Sequence, residues 1–215
     1  MKRTLLLFLS LIPLIAEAQE PQIIGGYLLD GKDSFEELDA AVVTEAQSKE
    51  KTLDGKGMKL PGGSIFMTPE SVGKEIGSIV NTKRPFLVRA ISFTVEENRM
   101  EGCRASIRIY RMHDENNLEN IVTMPINQDI PKAAGETTFS IAPEESIVLD
   151  PGKYYISFSL TDVGQEIKEK WDYRKDRIFF PAYFKGSYTR ESSDKPLTRW
   201  GMNIGLTVRG KYIKP

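Results

Sequence analysis

Cys103-Arg104-Ala105-Ser106-Ile107-Arg108-Ile109-Tyr110 alternates without a break. Cys103, Ala105, Ile107 and Ile109 fall on one side, and Arg104, Ser106, Arg108 and Tyr110 on the other. Successive side chains of an extended strand point to opposite faces, so this stretch predicts a strand with one face on a core. The same scheme recurs over residues 153–160, where Tyr154, Ile156, Phe158 and Leu160 oppose Tyr155, Ser157 and Ser159. Over residues 86–97 the pattern sets Leu87, Ile91, Phe93 and Val95 on one face, with Arg89 as its lone polar member. Ile204, Leu206 and Val208 close the series, with Thr207 and Arg209 opposite.

Shorter β-rich runs lie at 64–67, 75–80, 121–124, 137–141, 147–149 and 178–184, separated by turn signals such as Glu101-Gly102, Asp150-Pro151-Gly152 and Lys185-Gly186. No long segment of period 3.6 follows Gly63. Many short strands with such punctuation predict an all-β fold: an antiparallel, jelly-roll-like β-sandwich of about eight to ten strands.

Upstream, residues 19–61 read as an N-terminal arm and linker, with the sandwich domain spanning 62–215. Ser34-Phe35-Glu36-Glu37 has capping-box spacing, and Phe35, Leu38, Ala41, Val42 and Ala46 recur at helical intervals. Ala41-Val42-Val43-Thr44 suits a strand equally well, so residues 33–46 stay open between helix and strand. Residues 47–63, polar and rich in glycine, read as linker.

The first 18 residues carry a secretory signal pattern: Lys2 and Arg3, an apolar run over 5–15, and Ala16-Glu17-Ala18 as a small-x-small cleavage site before Gln19. A bilayer span needs about 20 apolar residues; this run is shorter and holds Pro13, and no later segment is apolar enough to span. The expected address is the periplasm, the cell surface or the medium. The only cysteine is Cys103, so there is neither an intramolecular disulfide nor a lipoprotein cysteine after the cleavage site, and stability must come from the core. Without residues 1–18 the chain keeps 27 Lys+Arg and 29 Asp+Glu, a formal charge of −2. That balance gives no electrostatic reason to expect nucleic acid or an anionic membrane as partner.

Several motifs resemble a β-sandwich module of exported Bacteroidota proteins described as carboxypeptidase-regulatory-like domain-containing proteins. The resemblance runs through Gly62-Gly63-Ser64, Gly73-Lys74-Glu75-Ile76-Gly77-Ser78-Ile79-Val80, Ile91-Ser92-Phe93-Thr94-Val95 and Ala105-Ser106-Ile107-Arg108-Ile109-Tyr110. It continues through Ile147-Val148-Leu149-Asp150-Pro151-Gly152-Lys153-Tyr154-Tyr155-Ile156-Ser157-Phe158, then Tyr188-Thr189-Arg190, Trp200 and Asn203-Ile204-Gly205-Leu206-Thr207-Val208. Residues 38–46 look like the segment that follows the regulatory-like domain in that family, although too few residues precede Leu38 to hold such a domain. What the resemblance implies is a sandwich fold and an envelope setting; it carries over no catalytic residue.

Chemistry-bearing groups are sparse. His113 is the sole histidine, and a zinc site needs further His or Cys ligands. Cys103 is in phase with Ala105 and Ile107, which marks a core thiol rather than a nucleophile. The acidic pairs Glu96-Glu97 and Glu144-Glu145, and Asp172 with Glu166 or Glu169, would serve a glycoside hydrolase only if held about 5–9 Å apart across a cleft. Asp114-Glu115-Asn116-Asn117 reads as a turn. There is no Gly-x-Ser-x-Gly elbow and no phosphate- or dinucleotide-binding glycine motif, so no cofactor is expected. The remaining feature is the stretch 164–190, where Trp171, Tyr173, Arg174, Arg177, Tyr183, Tyr188 and Arg190 interleave aromatic rings with guanidiniums. Such rings suit a sugar face or a protein hot spot. Trp171, Tyr173, Arg174, Tyr188 and Arg190 are therefore the candidate ligand-binding residues of a non-enzymatic module for a glycan or an envelope protein. A structural role, packing against an envelope partner, is the alternative.

Overall fold

A computed structural model of the chain describes residues 49–114 and 117–213. The signal segment, the arm up to residue 48 and the helix-or-strand question at 33–46 lie outside the described residues. The strands are β1 (Lys51–Asp54), β2 (Met58–Met67), β3 (Glu75–Thr82), β4 (Phe86–Asn98), β5 (Cys103–Met112), β6 (Leu118–Asn120) and β7 (Ile126–Ile130). They continue with β8 (Ala133–Ile141), β9 (Ile147–Leu149), β10 (Gly152–Asp162), β11 (Ile178–Arg190), β12 (Thr198–Asn203) and β13 (Thr207–Tyr212); one short helix, α1 (Gln165–Glu169), interrupts them.

The fold is all-β, an antiparallel β-sandwich. In one layer β10 lies between β3 and β5, with β6 and β7 pairing the outer side of β5. In the other, β13 lies between β1 and β4, and β8 and β9 pair β4. β11 belongs to both layers. Its first half pairs β2 and touches the end of β4, and its second half pairs β12 and β3. The register shifts between Pro181 and Tyr183 and again between Phe184 and Ser187 let the strand turn that corner.

Alternation on β5 and β10 is as the sequence reads: Ala105, Ile107, Ile109, Ile156, Phe158 and Leu160 are buried in one cluster between the layers. Phe93, Phe158 and Phe180 stack edge to face at 5.0 and 5.2 Å, joining β4, β10 and β11. Burial of each such side chain contributes about 1.5–3 kcal/mol relative to exposure, which is how a domain without disulfides holds together.

Three expectations need correction. Most of the described part of the expected linker is strand: β1 pairs β13 and β2 pairs β11, so the sandwich includes residues upstream of 62. The glycines and proline that suggested a linker mark irregular strand backbone, Gly62 having φ +68°. On β4 the core residues are Phe86, Val88, Ile91, Phe93 and Val95, whereas Leu87 and Arg89 are not buried. A bulge opposite Arg209 and Gly210 inserts one residue at Arg89, so the phase slips there. Thirteen strands are present among the described residues, beyond the expected eight to ten, because very short pieces such as β6 and β9 also pair.

Candidate functional site

The five candidate residues do not form one site. Arg190 is buried at the outer side of the β3–β10–β5 layer, its side chain 3% exposed. Its Nε and Nη2 donate to the two oxygens of Glu75 at 3.0 and 3.1 Å, and its Nη1 donates to the Ser193 carbonyl at 2.8 Å. Glu75, fully buried, also accepts from the Tyr110 hydroxyl at 3.0 Å and from Arg108 at 3.3 Å. The guanidinium carbon of Arg190 sits 4.5 Å from the Tyr110 ring centre. Burial pushes both the Tyr110 and Tyr155 hydroxyls up from their ordinary pKa, so both stay protonated. Tyr188 packs against Tyr110, Met112 and Tyr155, and its carbonyl accepts from the Tyr155 hydroxyl at 3.2 Å. Arg190 is thus fully engaged in a buried hydrogen-bond network, and Tyr188, itself half-buried, joins it through its carbonyl.

Trp171, Tyr173 and Arg174 lie in the loop between α1 and β11. Asp172 shapes it: its carboxylate accepts from the Arg174 backbone N–H at 2.7 Å, and its own N–H donates to Asp176 at 2.6 Å. The Asp172 carbonyl then accepts from the N–H groups of Lys175 and Asp176 at 3.0 and 2.9 Å. Arg177 closes the loop, its Nε donating to the Tyr173 carbonyl and its own carbonyl accepting from the Arg99 N–H at 2.9 Å. A loop tied this way holds its side chains out on a fixed frame. Tyr173 is 56% exposed, and Arg174 is exposed with no partner for its guanidinium among the described residues.

Across from this loop stand two residues that the sequence reading left elsewhere. Phe66 on β2 and Phe179 on β11 face each other in the ladder, and Phe179 also faces Glu97 on β4. Phe66 is 41% exposed, and Phe179 is half-buried. The Arg177 guanidinium packs on both of two edge-to-face rings, 4.5 Å from the centre of Phe66 and 4.3 Å from that of Tyr173. Arg99 covers Phe179 at 4.9 Å while its Nε and Nη2 each donate to Glu97 at 2.8 Å. The result is an alternating surface of aromatic rings and guanidiniums: Trp171, Tyr173, Arg177, Phe66, Phe179 and Arg99. Its rings do not share a plane. Trp171 is tilted 53° to Tyr173, and Tyr173 stands at 81° to Phe66. Nothing local in the sequence joins Phe66 to Tyr173, because only the β2–β11 pairing brings them together.

Other candidates resolve simply. Cys103 is buried, and desolvation pushes its thiol up to about 11, the opposite of a reactive thiolate. His113 bonds the exposed Glu119 at 2.9 Å. Among the described residues no group of three or more His, Cys, Asp or Glu is placed to hold a metal ion. A cleft of about 430 Å³ opens between the loops that precede β7 and β9, with Arg111, Met124, Glu144, Val148, Asp150 and Tyr154 in its wall. Arg111 is already engaged there, donating to Asp150 at 3.1 Å and to the Tyr154 hydroxyl at 3.2 Å. Among the strand arginines, Arg108 shares a face with Tyr155, since β5 and β10 pair in register. Arg89 sits on β4, in the other layer. No protein-family model, no curated protein and no solved structure matches this chain.

Proposed function

We propose that this chain is an exported, non-catalytic binding module of the cell envelope that docks a protein partner on the aromatic–arginine surface. The observation that carries this reading is Arg177 packed against both exposed rings, Phe66 and Tyr173. Aromatic and arginine side chains dominate protein hot spots because they bury large areas while keeping directional donors. Here the rings are fixed in advance by the Asp172 turn and the β-ladder, so little side-chain entropy remains to be lost on binding. The tilt between Trp171 and Tyr173 argues against a flat platform for sugar rings. The acidic groups of the same loop cap its own backbone, which supports the non-catalytic reading. The signal pattern and the family resemblance support the envelope setting.

The test replaces Tyr173, or Val148 at the distant cleft as control, by a photo-crosslinking phenylalanine in cells. A discrete protein adduct is expected from position 173 alone, and Arg177→Glu should reduce it. A glycan array that binds the wild type but not Trp171→Ala, with no protein adduct, would replace the protein reading by a carbohydrate one. Failure of both measurements removes the binding surface altogether.

A further inference from the structure

The cleft of about 430 Å³ takes one wall from each layer. Residues 121–125 join β6 to β7, both paired to β5, and residues 142–146 join β8 to β9, both paired to β4. Here the inner face of β5 changes character. Ala105, Ile107 and Ile109 are buried, but Arg111, the next residue in phase, is half-buried and lines the cleft. Apolar groups make up most of the walls: Ile121, Val122 and Ile141 pack on the core cluster, and Met124 and Val148 are exposed. Part of this shape is fixed in advance. The Ile121 N–H donates to the Ile109 carbonyl at 3.0 Å, and the Val122 N–H donates to the Asn120 side chain at 3.2 Å. Pro125 and Pro143 stiffen the two loops. A largely preformed cleft of about 300–1,000 Å³, apolar with a few polar groups, is the usual form of a small-molecule site.

The charges in the wall choose the headgroup of the ligand. Arg111 is the one cation there, and it already donates to Asp150 and to the Tyr154 hydroxyl. Glu144 and Glu145 are exposed and have no hydrogen bond or ion pair among the described residues. One guanidinium against the carboxylates of Asp150, Glu144 and Glu145 leaves the wall with a net charge of −2. We propose that this cleft binds a small amphipathic cation, an aliphatic chain of about eight carbons that ends in an ammonium group. The chain lies between the two loops, and the ammonium sits beside Glu144 and Glu145. An anionic headgroup would meet those carboxylates instead, with the guanidinium already neutralised by Asp150. The cleft shares no residue with the aromatic–arginine surface and does not depend on it.

Isothermal titration of the purified protein with octylammonium, octanol and octanoate tests this directly. Octylammonium should bind most tightly, and each methylene removed from its chain should weaken it about two- to fourfold. Glu144→Gln together with Glu145→Gln, at exposed positions that leave the fold intact, should weaken octylammonium about fivefold, to the level of octanol. Octanol itself should bind the variant as it binds the wild type. In nitrogen-15-labelled protein, the amide shifts caused by octylammonium should gather at residues 121–127 and 141–148. No binding by folded wild type, tighter binding of octanoate, an ammonium preference that survives the double substitution, or amide shifts that gather elsewhere each overturns the proposal.

Discussion

Glu75 shows how one residue can decide what its neighbours are for. The carboxylate neutralises Arg190, receives Tyr110 and Arg108, and is itself closed off from water. Removing one partner of such a buried pair strands the other charge in a low-dielectric site, which costs about 3–5 kcal/mol. Glu75→Gln should therefore lower the urea midpoint sharply, by several times the effect of an ordinary surface substitution. Glu75→Leu combined with Arg190→Met removes both charges and should recover most of that loss. A midpoint unmoved by Glu75→Gln would show that the pair does not hold the fold. Arg190 could not have been recognised as structural from its own surroundings, because its counter-charge lies 115 residues away in sequence. Tyr173, by contrast, is an exposed ring in a stretch whose flanking charges leave no apolar periodicity, while Trp171 beside it is half-buried.

At the scale of the element, close strand approach sets the tolerance for side chains. Gly77 on β3 faces Ser157 on β10, and a Cβ built there would lie 2.1 Å from the Ile156 carbonyl oxygen. Backbone cannot yield as a flexible side chain would, so Gly77→Ala should cost at least about 1–3 kcal/mol. Gly201 on β12 has nothing within 4 Å of the same position, and Gly201→Ala should leave the thermal midpoint unchanged or slightly raised. Equal midpoints for the two variants would contradict the β3–β10 register. The strands legible in the sequence were those whose cores are free of bulges: β5 and β10 pair without a shift from Tyr154 to Leu160, and the one shift between them falls at the end, past Leu160. β4 was misphased at Arg89, β1 was missed, and β2 was read only over residues 64–67. A bulge leaves no mark in local hydropathy, and glycine reads alike whether it ends a strand or bends one.

For the molecule as a whole, β11 binds the layers into one unit. Its pairing with β2 and β4 cannot be lost without disturbing its pairing with β3 and β12, because one continuous backbone carries both. Chemical unfolding should accordingly be a single transition, with tryptophan fluorescence and far-ultraviolet circular dichroism coinciding. Two separated midpoints would mean that the layers unfold independently. The sequence showed the class of fold because class depends on period and punctuation. It did not show the shared strand, which depends on which distant edges meet.

The place where β11 crosses has a mechanical consequence. It meets β3 at residues 75–77 and β4 at 97–98, whereas the 430 Å³ cleft opens near the opposite ends of those strands, where β4 pairs β9 through residues 86–88. That end is laced as well, because two short turns, residues 83–85 from β3 to β4 and 150–151 from β9 to β10, run from one layer to the other. A load pulling the layers apart is therefore carried by backbone at both ends, by one long crossing strand and by two short stitches.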